Sequence, residues 1–118
     1  MIAIVDDYKE LRDALEKLLR SLGHRISAFG SAENFLESGK LHDTSCLITD
    51  VRMPGMSGID LQDRLIADGH CIPIIFITAY LDDHVRQRAM MAGAVAFLVK
   101  PVDTGQLIGC LDKALKAA

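Results

Sequence analysis

Apolar residues along this chain come in two alternating rhythms. Short unbroken runs stand at Ile2 to Val5, Cys46 to Thr49, Ile74 to Ile77 and Val95 to Val99, with a weaker one at Arg25 to Phe29. Runs of that length predict strands buried on both faces. Between them the spacing changes. Leu11, Ala14, Leu15, Leu18, Leu19 and Leu22 recur at three- and four-residue steps, separated by Lys9, Glu10, Arg12, Asp13, Glu16, Lys17 and Arg20, which predicts an amphipathic helix. Gly23 is placed to end it in a left-handed turn. Ser31 predicts the cap of a second helix through Ala32, Phe35 and Leu36 that ends near Gly39. A third helix is expected through Leu61, Leu65 and Ile66 to Gly69. The fourth runs from about Asp82 to Ala92, with Val85, Ala89 and Met90 turned inward and Gly93 as its stop. Asp103 and Gln106 have the spacing of a capping box and open a last helix through Leu107, Ile108, Leu111, Ala114 and Leu115.

Five strand-helix alternations predict a parallel sheet with helices on both faces, because each right-handed crossover lays its helix against the sheet. A strand order of 2-1-3-4-5 puts the topological switch point between strands one and three, where doubly wound sheets open a crevice at their carboxyl edge. The 118 residues suffice for one domain, 1–118, with a single apolar core, and no linker or repeat divides them. Hydrophobic residues at 50% and charged residues at 25% are a globular composition. The longest apolar run, Ile72 to Ile77 interrupted by Pro73, is far short of the roughly 20 residues of a membrane span. No export leader is visible at the amino terminus. Cys46, Cys71 and Cys110 are odd in number and far apart, so reduced thiols in a cytoplasmic protein are expected. A net charge of -3 argues against direct binding of a nucleic-acid backbone.

The strands end in chemistry. Asp6 and Asp7 follow strand one, Asp50 ends strand three, Thr78 closes strand four and Lys100 closes strand five. Any one of these alone would be read as a cap or turn residue. Four at one edge indicate a site. Two or three carboxylates crowded together repel, and a hard divalent cation such as Mg2+, which takes oxygen ligands, removes the conflict. Carboxylate, metal, ammonium and hydroxyl together suit a phosphoryl group, and a carboxylate can itself be the nucleophile that forms an aspartyl phosphate. The four histidines, His24, His42, His70 and His84, have no paired spacing and read as surface residues. Met53, Met56, Met90 and Met91 read as core or interface filler.

With those residues in view, the chain resembles the receiver domains of two-component response regulators. The matched positions are Asp6-Asp7, Asp50 with Met53-Pro54 and Gly58, Thr78-Ala79, and Lys100-Pro101, in order over essentially the whole chain. The stretch from Val51 to Gly58, with Gly93, Ala94 and Phe97, is similar to the nitrogen-fixation (FixJ-type) branch, whose members usually carry a helix-turn-helix output domain. The resemblance implies a flavodoxin-like fold and the following roles. Asp50 is the phosphoacceptor, supplied by a sensor histidine kinase or a small phosphodonor. Asp7, Asp50 and the main-chain carbonyl of Arg52 hold Mg2+, with Asp6 acting mostly through water. Lys100 pairs with the phosphoryl oxygens, and the Lys100-Pro101 peptide is cis. Thr78 and Phe97 form the switch, read out on the face of helix four, strand five and helix five as a homodimer or output contact. Arg52 and Tyr80, each two positions beyond Asp50 and Thr78, are expected to set the phosphate lifetime by controlling water access.

Two other functions fit parts of the pattern. A Mg2+-dependent phosphohydrolase with an aspartyl nucleophile would use a similar sheet, but such enzymes usually carry a second acid where this chain has Arg52, and they need a covering cap. A degenerate receiver acting as a constitutive interaction module would lack part of the acid, hydroxyl and lysine set, which is complete here. The expected activity is therefore that of a switch promoting only its own phosphorylation and dephosphorylation.

Overall fold

The structure is a computed structural model that describes residues 1–116. Five parallel strands, β1 (Ile2–Val5), β2 (Ile26–Phe29), β3 (Cys46–Asp50), β4 (Ile74–Thr78) and β5 (Ala96–Val99), form one sheet in the order β2-β1-β3-β4-β5. The helices are α1 (Lys9–Ser21), α2 (Ala32–Glu37), α3 (Gly58–Ala67), α4 (Asp83–Met91) and α5 (Thr104–Lys116). The predicted doubly wound architecture is therefore correct. A short 3-10 turn at Leu41–Asp43 has no counterpart in the sequence reading.

The period of two along each strand divides the core into two layers. Ala3, Val5, Leu47, Ile74 and Phe76 point to the face covered by α2, α3 and α4, where Phe35, Leu61 and Leu65 are fully buried or nearly so. Ile2, Ile4, Cys46, Ile48, Ile75, Ile77 and Leu98 point to the other face, against Leu15 and Leu19 of α1 and Leu107, Leu111 and Ala114 of α5. The reversal of winding direction at β1 is what sends α1 and α5 to one side and the remaining helices to the other.

Local chemistry sets the helix ends. The Ser31 hydroxyl accepts from the Asn34 N–H at 3.0 Å, as its position predicts. Gly23, Gly39, Gly69 and Gly93 all have positive φ just past helix ends, the conformation glycine adopts without penalty. The Asp103 carboxylate accepts from the Gln106 N–H at 3.0 Å. A complete reciprocal capping box stands at Ser57 and Asp60, at the start of α3, a cap that the sequence pattern did not single out.

Helix α4 departs most from its predicted packing. Among its residues only Ala89 is buried, Val85 is half-buried, and Met90, expected inside, is 38% exposed. Met91 is 89% exposed and fills no core. Two of its nine residues, Val85 and Ala89, therefore seat this helix, where α1 packs Leu11, Leu15 and Leu19 against the sheet, so α4 rests by a narrow seam.

Candidate functional site

Strand register assembles the site. β1 and β3 pair Val5 with Thr49, so Asp6 and Asp50 each stand one residue beyond that pair, side by side at the switch point. β4 and β5 pair Thr78 with Val99, and the Lys100 N–H continues the ladder to the Thr78 carbonyl at 2.7 Å. That bond carries the Lys100 side chain over the sheet edge. Its ammonium donates to Asp50 Oδ2 at 2.9 Å and lies 3.5 Å from Asp6 Oδ2. The peptide bond from Lys100 to Pro101 is cis.

The three acids converge as the sequence suggests: Asp6, Asp7 and Asp50 each offer a carboxylate oxygen, and these lie within 4.8 Å of one another. Asp6 and Asp50 are buried, whereas Asp7 is exposed. Backbone donors orient the buried pair. Asp6 Oδ1 accepts from the Tyr8 N–H at 2.8 Å, and Asp50 Oδ1 from the Arg52 N–H at 3.2 Å. One contributor escaped sequence reasoning: the Arg12 guanidinium, which reads as part of a solvated helix face, donates to the Asp6 carbonyl at 2.7 Å and so braces the loop of acids. Nothing in its spacing distinguishes it from Lys9 or Lys17.

Burial raises the Asp6 pKa above the ordinary carboxylate value, helped by the nearby Asp50 charge and opposed by the Tyr8 N–H and Lys100. For Lys100 burial is the largest influence and acts downward. The hydrogen bond to Asp50 and the charges of Asp6 and Asp50 together outweigh it, and its pKa stands above normal. The sign of the Asp6 shift has a consequence for stability. A carboxyl that holds its proton more tightly folded than unfolded stabilises the fold at low pH, and that contribution is lost as pH rises through the raised pKa. Ionised Asp6 is thus a net burden at neutral pH. In the presence of a chelator, Asp6→Asn is expected to raise the thermal midpoint at pH 7, with the gain shrinking toward pH 4. Melting curves at the two pH values check this, and a gain independent of pH would contradict it.

On the opposite side of Asp50, Thr78 is buried and turned toward its own loop. Its hydroxyl donates to the Tyr80 carbonyl at 3.1 Å and accepts from the Tyr80 N–H at 3.3 Å. The Arg52 guanidinium stands 5.5 Å from the centre of the exposed Tyr80 ring, a cation-π distance. Phe97 is half-buried on β5, with its ring 6.0 Å from that of Phe76. All three thiols are free, and burial pushes that of Cys46 up to about 12. The rings of His42 and His70, unrelated in sequence, meet edge to face at 5.4 Å far from the acids.

An edge with two buried acids, one exposed acid, a paired ammonium and a buried hydroxyl can receive a doubly charged oxyanion and a hard cation together. The family model described as the response regulator receiver domain matches residues 2–112. The chain belongs to this family. As a receiver domain it is 44% identical over its full length to the response regulator protein TmoT of Ectopseudomonas mendocina, of which it covers 54%. It is 36% identical to the transcriptional regulatory protein FixJ of Bradyrhizobium diazoefficiens, over 99% of this chain and 57% of that protein. Among solved structures, the response regulator StyR superposes with a TM-score of 0.92 at 43% identity, over 98% of this receiver and 59% of that chain. The amino-terminal domain of FixJ superposes with a TM-score of 0.88 at 35% identity, covering 99% and 94%. The receiver thus spans about half the length of the curated relatives it matches.

Proposed function

We propose that this receiver is a phosphorylation-activated signalling switch whose acceptor is Asp50. The observation that carries the reading is the Lys100 ammonium 2.9 Å from Asp50 at the edge where Asp6 and Asp7 converge. In the transfer step an Asp50 carboxylate oxygen attacks phosphorus, the bond from phosphorus to a kinase histidine nitrogen breaks, and the imidazole leaves with the electron pair. Lys100 then redirects its ammonium from Asp50 to the phosphoryl oxygens. The ligand atoms at this edge are oxygens, which suits Mg2+: Asp7, Asp50 and the main-chain carbonyl of Arg52 would hold it directly, with Asp6 acting mostly through water. When bound, the cation neutralises charge on the phosphoryl oxygens. The switch promotes only its own phosphorylation and dephosphorylation.

Thr78 and Phe97 supply the relay. The Thr78 hydroxyl exchanges its two bonds with Tyr80 for one to the phosphoryl group, and the half-buried Phe97 ring turns into the space that this movement opens. The narrow seating of α4 on Ala89 makes α4 the element that yields. The surface of α4, β5 and α5 would then present a dimer or output contact, consistent with relatives about twice as long, several of them transcriptional regulators by name. The partner is a sensor histidine kinase, in the cytoplasm. This segment, 1–118, makes no direct contact with nucleic acid, and no helix among the described residues is long and apolar enough to cross a membrane.

Small-angle scattering with beryllofluoride and Mg2+ tests the relay: a change in shape or a dimer is expected, and an unchanged profile argues against it. Arg52 and Tyr80 lean together beside the acceptor, so Arg52→Ala and Tyr80→Ala are each expected to change the dephosphorylation rate of Asp50 several-fold. Unchanged decay of the phosphorylated species in both variants would remove them from any role in water access.

A further inference from the structure

At the edge of the sheet away from the acids, α3, the residues leading into β4 and the turn between α4 and β5 enclose a cavity of about 410 Å3 that opens to solvent. Its walls are mostly apolar, with Leu65, Ile66, Ile72, Pro73 and Val95 among them; His70 and Cys71 are the polar side chains beside Gln62, and no carboxylate, ammonium or guanidinium group lines it. Cavities of this size that hold a few placed polar groups in an apolar wall are the usual form of small-molecule sites.

The placed group here is Gln62. It lines the cavity and is only 2% exposed. Its Nε2 donates to the Ala89 carbonyl at 3.0 Å, joining α3 to α4. Exchanging the two ends of the amide would set oxygen against oxygen, so the orientation is fixed. Oε1 is then left without a partner, the one such buried side-chain oxygen or nitrogen among the described residues. A leucine or methionine would fill the same volume with no orphaned acceptor.

We propose that this cavity is a binding site for a small, neutral, planar molecule carrying one N–H or O–H donor, with Gln62 Oε1 as its acceptor. With no ammonium or guanidinium in the wall and His70 its one basic side chain, a phosphorylated or carboxylated ligand would lose more hydration than the site returns, which favours a neutral one. The volume admits one or two fused rings. Such a ligand would sit against Ala92 and Gly93 at the end of α4 and hold that loosely seated helix to α3.

Indole and indene make the test, because they share shape and apolar area while only indole has a donor. Both are titrated into the unphosphorylated protein, and binding is read from backbone amide shifts. Indole is expected to give saturable shifts centred on Gly69 to Ile74 and Ala92 to Val95, with indene weaker by about tenfold for want of the donor. Gln62→Met should erase the difference between the two probes. Ala92→Leu, at an exposed position on the rim, should block both without disturbing the fold, which its melting curve verifies. The proposal is overturned if neither probe saturates at millimolar concentration, if the two bind the unmodified protein equally, or if the shifts centre on the other apolar groove of the molecule, which Leu11 and Leu18 of α1 line with Leu107 of α5. It is equally overturned if the preference for indole survives Gln62→Met. None of these readouts involves Asp50, so the outcome is independent of phosphotransfer.

Discussion

Asp50→Asn is expected to abolish phosphorylation. Incubated with acetyl phosphate and Mg2+, the unmodified protein should gain the mass of one phosphoryl group, and the variant none. Asn keeps the shape of the side chain and can still accept from the Arg52 N–H, so the loss isolates the nucleophile. Asparagine's amide oxygen lacks the charge needed to attack phosphorus, and the amide nitrogen has no available lone pair. The variant also removes the charge that holds Lys100, leaving the ammonium with Asp6 at 3.5 Å as its remaining anion. Asp13→Asn is the control: that acid lies on the exposed face of α1, paired with Lys9, and the mass gain should be unchanged. A phosphoryl group on the Asp50→Asn protein would move the acceptor elsewhere in the acid cluster, with Asp6 and Asp7 the first places to look.

The meeting of Asp6, Asp50, Thr78 and Lys100 at one edge was legible in the sequence because a doubly wound sheet converts position along the chain into position in space. Once Asp6, Asp50, Thr78 and Lys100 are each recognised as the residue that ends a buried run, parallel pairing leaves them nowhere to go but one edge. Their convergence needed no knowledge of side-chain packing. What the sequence did not disclose depends on such packing. Arg12 supports Asp6 through a main-chain carbonyl, and in the charge pattern of α1 it looks no different from Lys9 or Lys17. Met90 falls on the apolar rhythm of α4, yet a nine-residue helix resting on one alanine has too narrow a buried face for the rhythm to place it. Ser57 and Asp60 had the capping-box spacing, but the Pro and Gly before them drew the eye to the loop and away from the cap that ends it. His42 and His70 are distant in sequence, and only the return of α3 toward the start of β4 brings their rings together.

Gly58 shows how closely β3 is tied to the helix that follows it. It is the first residue of α3, and its N–H donates to the Val51 carbonyl at 2.9 Å. Its φ is not in the left-handed region, so the need for glycine is one of space. A Cβ there would fall 2.1 Å from the Asp50 carbonyl oxygen, 3.0 Å from the Asp50 carbonyl carbon and 3.2 Å from Phe76 Cε1. Two of these neighbours are backbone and cannot rotate away. Gly58→Ala must therefore push α3 off the end of β3 or displace Asp50, and it is expected to cost about 3 kcal/mol, the upper part of the range for overpacking. Against a total of about 5 to 15 kcal/mol for a domain, that is a large fraction. Gly109 supplies the contrast within the same chain. It lies exposed in the interior of α5, and a Cβ there meets nothing within 4 Å. Gly109→Ala is expected to stabilise by about 0.5 to 1 kcal/mol, since alanine loses less backbone entropy in a helix. Urea midpoints of the two variants should move in opposite directions. If Gly58→Ala costs less than about 1 kcal/mol, α3 can shift away from β3 cheaply. The close fit between Gly58 and the Asp50 carbonyl would then be no constraint on where Asp50 sits.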